Sequence, residues 1–273
     1  MNFLDLLNAQ IDKSNSLLCV GLDPDVNKLP VSLKSTQNQL FEFNKAIIDA
    51  THDLVCAFKP NSAYYEAHGP EGVVQLRDTI SYIHENYPGI PVILDAKRAD
   101  IGHTNDQYAA FIFDYLGSDA VTLHPYLGRE ALEPFFARTD KGLIILCRTS
   151  NPGAGEFQDL LADGETLYSH VARQVSKEWN ASGNCSLVVG ATYPNELEEI
   201  RAITGPHMPF LVPGVGAQGG DVQAAVEAGI GSDKKGLIIN SARGVIYASA
   251  EADFAEGARQ AALETRDEIN KYR

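Results

Sequence analysis

The sequence predicts a (β/α)₈ barrel, and three observations lead to that prediction. The chain has 273 residues, close to the roughly 250 that are typical of this fold. Eight short apolar runs recur at intervals of roughly 25 to 45 residues, with amphipathic helical patterns between them. Most runs are apolar at consecutive positions, as expected of parallel strands covered on both faces. No linker-like segment interrupts the pattern, so residues 1–273 are predicted to form a single domain.

The eight predicted strands follow one another along the whole chain, at 16–23, 54–59, 91–97, 120–125, 142–147, 186–191, 210–214 and 236–241. Helical periodicity fills the intervals, as in the stripe formed near the end of the chain by Phe254, Ala258, Ala262 and Ile269. A doubly wound open sheet is the alternative, because periodicity does not reveal whether a sheet closes.

Composition and charge restrict the partners and the compartment. The formal net charge of −14 argues against binding to nucleic acid or to an anionic membrane, since both require a basic surface. No apolar run reaches the roughly 18 residues of a membrane span. The first residues, MNFLDLLNAQ, are typical of a short amphipathic helix and not of a signal peptide. The four cysteines lack metal-binding spacing and indicate reduced core residues, so we expect a cytoplasmic protein.

Charged residues follow the first three predicted strands, where the active site of this fold lies. The first strand ends at Asp23, the second at Lys59, and the third at Asp95 and Lys97, with Asp100 just beyond. Any one of them taken alone is more simply a solvated loop residue. In a closed barrel, however, side chains from three consecutive strand ends converge on one mouth. Asp95 and Lys97 are also two residues apart, which puts them on the same face of an extended strand.

The fifth strand also ends in polar residues, since it leads into TSNPG with Ser150 and Asn151. The last two strand ends predict a phosphate site, because the seventh leads into PGVGAQGG (213–220) and the eighth into SARG (241–244). Glycine-rich loops after strands seven and eight of a barrel commonly bind phosphate through backbone N–H groups, and an arginine strengthens such a site. The candidate binding residues of these two loops are Pro213, Gly214, Gln218, Ser241, Arg243 and Gly244.

Other common catalytic patterns are absent from the sequence. His103 and His124 fall near the predicted mouth, but they form no HExxH motif or other paired ligand spacing, so no metal site is predicted. The chain also lacks a nucleophile elbow, a P-loop and a dinucleotide-binding fingerprint.

Six motifs in register resemble the orotidine 5′-phosphate decarboxylase family, in its longer and mostly bacterial branch. LDAKRADIG (94–102) is similar to the family's Asp-x-Lys-x-x-Asp-Ile signature. VGLDP and AFKP precede it, and TSNPG, PGVGAQGG and SARG follow it in the family's order. The resemblance covers nearly the whole chain. It departs at Asn61, where another branch has histidine, and the family's phosphate-gripping tyrosine has no assignable counterpart.

The resemblance implies a reaction and a role for each matching residue. Orotidine 5′-phosphate would be converted to uridine 5′-phosphate without a cofactor or metal, and Lys97 would protonate the pyrimidine at C6. Lys59, Asp95 and Asp100 would complete an alternating network of charges around Lys97. Asp23 and Lys59 would bind the ribose, Ser150 the pyrimidine, and Gln218 and Arg243 the phosphate. Asp100 and Thr104 would reach into the active site of a second subunit, which implies a homodimer.

Three other functions remain open from the sequence. A metal-dependent sugar-phosphate lyase or decarboxylase of the same barrel superfamily, such as the hexulose-phosphate synthase type, shares Asp-x-Lys-x-x-Asp but has glutamate in place of Lys59. An aldolase could use Lys59 or Lys97 as a Schiff base. A non-enzymatic phosphate-binding protein on the same fold would not need lysines that alternate with carboxylates at the mouth.

Overall fold

Eight parallel strands form one sheet in the computed structural model of the chain, which describes residues 1–34, 36–215 and 220–273. Each of the eight predicted runs overlaps one strand, with bounds that differ by a few residues. The strands are β1 (Leu18–Leu22), β2 (Ala57–Pro60), β3 (Ile93–Arg98), β4 (Ala120–Leu123), β5 (Gly142–Arg148), β6 (Cys185–Val189), β7 (Phe210–Pro213) and β8 (Leu237–Ser241).

The sheet closes on itself. Its hydrogen-bonded order is β2, β1, β8, β7, β6, β5, β4, β3. The two outer strands of that order, β2 and β3, are joined by parallel bridges between Phe58 and Val92 and between Asn61 and Asp95. The predicted (β/α)₈ barrel is therefore confirmed, and the open doubly wound sheet is wrong. Closure directs all the strand ends toward a common mouth.

Helices connect the strands and cover the outside of the barrel. They are α1 (Phe3–Ser14), α2 (Gln39–Thr51), α3 (Ala63–Glu66), α4 (Gly69–Asn86), α5 (His103–Ala109), α6 (Gly128–Ala131), α7 (Glu133–Phe136), α8 (Gly155–Gln158), α9 (Leu167–Gln174), α10 (Pro194–Thr204), α11 (Val222–Gly229), α12 (Arg243–Ile246) and α13 (Phe254–Lys271). Short 3₁₀ turns lie at Val26–Lys28, Val31–Leu33 and Pro152–Ala154. Wider π-helical turns extend α5 over Ala110–Tyr115 and α9 over Val175–Trp179.

The N-terminal helix closes the foot of the barrel, where the strands begin. The side chain of Asn2 accepts a hydrogen bond from the Asp5 N–H and caps α1. Phe3 packs onto the start of β5 because Gly142 has no side chain there. A Cβ on Gly142 would lie 2.3 Å from the Phe3 ring. The amphipathic helix predicted for the first residues is thus confirmed, and it shields the lower core from water.

One continuous hydrophobic core joins the strands to the surrounding helices. The stripe predicted near the end of the chain is buried at Phe254, Ala258, Ala262 and Ile269 of α13, and complete burial of a Phe or Ile side chain contributes about 1.5–3 kcal/mol. All four cysteines are buried and unpaired. Over the described ranges, we find no helix with both the length and the apolar character needed to cross a membrane.

An insertion between β5 and α9 was not predicted from the sequence. It contains a 3₁₀ turn, α8 and a two-stranded hairpin whose strands are Leu161–Ala162 and Glu165–Thr166. Each hairpin strand has only two residues, which is too short to give a readable alternating pattern. The insertion begins directly after Arg148, so it overhangs one side of the mouth.

Candidate active site

A cavity of about 550 Å³ opens at the carboxyl ends of the strands. The structure brings together there nine of the residues predicted from the strand ends, namely Asp23, Lys59, Asp95, Lys97, Ser150, Asn151, Pro213, Gly214 and Arg243. They come from six of the eight strands or from the loops that follow them. The convergence expected from a closed barrel is therefore present.

Three charged side chains form a row across the cavity. Lys59 Nζ lies 3.0 Å from Asp95 Oδ2, and Lys97 Nζ lies 2.6 Å from Asp95 Oδ1. The Lys59 side chain is 4% exposed and the Asp95 side chain 12%, whereas that of Lys97 is 50% exposed. One carboxylate thus binds a buried ammonium on one side and an accessible ammonium on the other. Lys97 is the member of the row that a ligand can reach.

Asp95 and Lys59 stay ionised because the charges around them compensate for burial. Burial would raise the pKa of Asp95, but the Lys59 and Lys97 ammonium groups outweigh it and hold that pKa well below its usual range. Burial would likewise lower the pKa of Lys59, but the carboxylates of Asp95 and Asp23 outweigh it and raise that pKa. Removing either partner of such a pair leaves a buried charge uncompensated, which is strongly destabilising.

This electrostatic arrangement predicts an acid-sensitive contribution to stability. The unfolded Asp95 has a pKa of about 3.9, and the folded one is lower. Below about pH 4 the unfolded state therefore binds a proton that the native state does not, and stability falls by up to about 1.4 kcal/mol per pH unit from this one group. Urea titrations between about pH 5 and pH 2 give the free energy of unfolding as a function of pH. We expect Asp95→Asn to remove the contribution of this group to that pH dependence. Asp163→Asn, in the turn of the hairpin, should keep the wild-type slope, and an identical slope in the two variants would contradict the assignment.

Asp23 provides a buried acceptor at the side of the row. Burial raises the pKa of its carboxyl group, and the nearby Lys59 ammonium opposes that shift. The backbone N–H of Asn61 donates to the carboxylate. The Oδ1 atom of Asp23, however, is buried and has no hydrogen-bond partner. A buried acceptor without a partner is costly, and here it belongs to a residue of the cavity wall. A hydroxyl group of a bound ligand would satisfy it.

The loop after β5 covers another side of the cavity. Gly190 lets this loop approach β6 closely, because a Cβ on Gly190 would lie 2.8 Å from the backbone of Ser150. The Thr149 hydroxyl donates to Asn151 Oδ1 at 2.6 Å. The Gln158 side chain returns from α8 and accepts the Thr149 N–H at 2.9 Å. Ser150 and Asn151 are therefore held at the cavity wall by contacts within the insertion.

The predicted phosphate residues lie beside the ends of β7 and β8. Pro213, Gly214 and Arg243 line the cavity, and Gly214 has a φ of +97°, which favours glycine. Ser241 is buried at the end of β8, and Gly244 follows Arg243 in α12; neither lines the cavity. Gln218 lies outside the described residues. The exposed Arg243 guanidinium at this edge can bind an anionic group.

Asp100 and Thr104 do not line the cavity of their own chain. Asn105, which is fully buried, holds the turn between them: it accepts the Asp100 N–H at 3.0 Å and donates to the Asp100 and Ala131 carbonyls at 2.6 Å. Thr104 is exposed, and Ile101 is 63% exposed. The turn therefore projects from the barrel in a fixed conformation.

The histidines near the mouth form no metal site with their neighbours. His103 is exposed and pairs with Asp106 at 2.9 Å, and His124 faces a separate cavity between β5 and α9. In the part of the chain that the structure describes, no three His, Cys, Asp or Glu side chains are grouped so that they could hold a metal ion.

Comparison with known proteins agrees with this geometry. The model of the Orotidine 5′-phosphate decarboxylase / HUMPS family matches residues 16–258. This chain belongs to that family. The orotidine 5′-phosphate decarboxylase of Dechloromonas aromatica (strain RCB) is 56% identical over 273 residues, and the match covers 100% of both chains. The resemblance seen in the six motifs is thus confirmed, and the protein is an enzyme, a carboxy-lyase of the orotidine 5′-phosphate decarboxylase family.

Solved structures of the family have the same barrel. The OMP decarboxylase of Leishmania donovani is 39% identical, with a TM-score of 0.86 over 100% of this chain and 98% of that one. The UMP synthase of Leishmania donovani is 41% identical with a TM-score of 0.88, and this chain spans 56% of its length. Both solved structures therefore share the barrel fold of this chain.

Several residues of this decarboxylase-family site were missed by reasoning from the sequence. Tyr64, Thr122, Gln158 and Asn240 all line the cavity. Thr122 and Asn240 lie inside apolar strands, where one polar residue is most simply a satisfied core side chain. Tyr64 and Gln158 lie several residues beyond the ends of β2 and β5. The sequence predicts only those residues at or directly after a strand end to line the mouth. The sequence does contain a signal for Asn240, because this residue directly precedes the SARG motif at the predicted phosphate site.

Proposed function

We propose that the protein decarboxylates orotidine 5′-phosphate to uridine 5′-phosphate and CO₂ without a cofactor, with Lys97 as the proton donor. The observation that carries this proposal is the row Lys59–Asp95–Lys97 at the mouth of a barrel of this family. The row combines a buried, fixed charge pair with one accessible ammonium group. That is the arrangement required where negative charge develops on a substrate and no electron sink is present.

The chemical step follows from the charges. The bond between C6 and the carboxylate breaks, its electron pair remains on C6 in the plane of the ring, and CO₂ leaves. The ring π-system cannot delocalise that pair, so the Lys97 ammonium stabilises it and then transfers a proton to C6. A unit charge pair at about 4 Å contributes roughly 4 kcal/mol at an effective dielectric near 20. Lys97 regains its proton from water after product release.

Binding of the substrate uses the rest of the cavity. Asp23 Oδ1 and the Lys59 ammonium would contact the ribose hydroxyls, which supplies the partner that Asp23 lacks. Ser150 and Asn151 would contact the pyrimidine, and Arg243 would bind the phosphate with backbone groups near Pro213 and Gly214. Gln218, Ser241 and Gly244 belong to the same proposed phosphate region. Contacts to the phosphate are remote from C6 and can contribute binding energy that lowers the barrier.

The most direct test is loss of the ultraviolet absorbance of orotidine 5′-phosphate after adding purified protein that has been treated with EDTA. We expect turnover in the metal-free sample at the untreated rate. A requirement for added divalent metal would instead favour the metal-dependent sugar-phosphate lyase, and borohydride trapping with substrate would reveal a Schiff base. Within the family, the buried Lys59 favours the decarboxylase.

We also propose a homodimer in which Asp100 and Thr104 of each subunit complete the active site of the other. Both residues lie on a fixed turn that does not line the cavity of its own chain, and the exposed Ile101 between them provides apolar surface for a partner. A two-fold dimer would carry two such shared sites.

Mixing two inactive variants tests the shared site. Lys97→Ala and Asp100→Ala should each have little activity alone. Refolded together, half of the dimers would be mixed and would carry one intact site of two, so about one quarter of the wild-type activity should return. If Asp100 acts in its own subunit, mixing will restore nothing.

The cellular role follows from the proposed reaction. The product is a pyrimidine nucleotide, so we propose a place in de novo pyrimidine biosynthesis in the cytoplasm, with no nucleic-acid or membrane partner. The net charge of −14 and the four unpaired cysteines support that placement.

A further inference from the structure

The end of β3 departs from regular strand geometry where it carries Asp95 and Lys97. Leu94 pairs with Val121 of β4, but the next pair is Arg98 with Leu123, so residues 95–97 face Thr122 alone. Lys97 has a φ of +48°, in the left-handed region that residues with a side chain rarely adopt. Bulges and strained backbone of this kind redirect side chains at active sites and require stabilisation from their surroundings.

The Thr122 hydroxyl connects the two residues of the bulge. Its Oγ1 accepts the Lys97 backbone N–H at 2.9 Å and donates to Asp95 Oδ1, also at 2.9 Å. The direction of both bonds is fixed, because a backbone N–H can only donate and an ionised carboxylate can only accept. Thr122 is 1% exposed, so water does not compete for its hydroxyl.

We propose that Thr122 is a positioning residue, whose hydroxyl holds Lys97 in its left-handed conformation and orients Asp95 so that the Lys97 ammonium is presented to the cavity. The inference rests on the proposed function, in which Lys97 protonates C6. In a regular strand, Lys97 would share the orientation of Asp95, whose carbonyl accepts the Ser62 N–H just after β2, so the Lys97 N–H would face β2. In the structure this N–H faces β4 instead, where the Thr122 hydroxyl accepts it and simultaneously fixes the Asp95 carboxylate.

The ion pair alone does not account for this geometry. Lys97 Nζ contacts Asp95 Oδ1 at 2.6 Å, but its side chain is half exposed and carries several rotatable bonds. That contact can form from more than one backbone conformation. The bond to the main chain acts directly on the strained residue, so the hydroxyl is the element to remove.

Thr122→Val and Thr122→Ser separate the hydroxyl from the shape of the side chain. Valine keeps the volume but leaves the Lys97 N–H unsatisfied, so we expect kcat for orotidine 5′-phosphate to fall about 10- to 100-fold with KM near the wild-type value. Serine retains the hydroxyl and should recover most of kcat. Thr51→Val is the matched control: Thr51 is also fully buried, but its hydroxyl only donates to the Ile47 carbonyl within α2. Its kcat should be unchanged.

Two kinetic results would overturn the proposal. One is a kcat for Thr122→Val within twofold of the wild type, and the other is a Thr122→Ser variant as slow as Thr122→Val, which would assign the effect to packing. A crystal structure of Thr122→Val tests the positioning role independently of activity. We expect Lys97 to leave the positive-φ region, and an unchanged backbone would count against Thr122. If wild-type protein does not turn over orotidine 5′-phosphate, the proposed function fails, while this crystallographic result still decides the role of Thr122.

Discussion

Lys97→Ala should abolish decarboxylation almost completely, with a loss of about 10⁴-fold or more, because it removes both a proton donor and the charge that stabilises C6. The fold should persist. The Lys97 side chain is half exposed, and its loss leaves Asp95 with Lys59 and Thr122 as partners. Turnover can be followed by ultraviolet absorbance, and folding by circular dichroism and urea titration.

Two further lysine variants sharpen this result. Lys97→Arg keeps the positive charge, but guanidinium does not give up its proton in proteins, so it should also be severely impaired. Lys177→Ala, on the exposed outer face of the barrel, should turn over like the wild type. If Lys97→Ala retained a tenth of the wild-type rate or more, Lys97 could not be the proton donor.

Arg243→Ala should lower kcat/KM for orotidine 5′-phosphate by about 10²- to 10⁴-fold, since each charge-assisted hydrogen bond to a phosphate is worth about 1.5–3 kcal/mol and a guanidinium can form two. Arg243→Lys keeps the positive charge but cannot form the bidentate contact, so its kcat/KM should lie between those of the wild type and Arg243→Ala. Steady-state kinetics with purified variants measure both effects.

A substrate without phosphate provides the control for Arg243. With orotidine, the wild-type protein and Arg243→Ala should give the same low kcat/KM, because the group that Arg243 binds is missing. Arg266→Ala, in α13 on the outside of the barrel, should match the wild type with both substrates. An Arg243→Ala variant with undiminished kcat/KM for orotidine 5′-phosphate would exclude Arg243 from the phosphate site.

The strands were predictable because burial determines their sequence. Parallel strands covered on both faces require consecutive apolar residues, so β1 and β5 are visible as nearly continuous apolar runs. The polar residue at which such a run stops then marks the mouth, which is how Asp23, Lys59 and Asp95 were found. These predictions depend on hydrophobicity along one strand and not on contacts between strands.

The remaining features depend on contacts between elements. The bulge in β3 arises from its register against β4 and from one hydroxyl on Thr122, and neither alters the hydrophobic pattern of β3. The insertion after β5 is held by the side chains of Arg148, Thr149 and Gln158. Polar loops of this kind have no periodicity from which a conformation can be derived. The row of charges was therefore predictable in composition but not in its exact backbone geometry.

Both ends of the chain are attached to the foot of the barrel. The Phe3 N–H donates to the carbonyl of Asp140, just before β5, and Arg273 donates to the carbonyl of Lys234, just before β8. Additional polypeptide joined at either end would therefore emerge on the face opposite the mouth. A second catalytic module could be fused to this barrel in either order without obstructing substrate entry, and an affinity tag or immobilisation surface at either terminus should leave turnover intact.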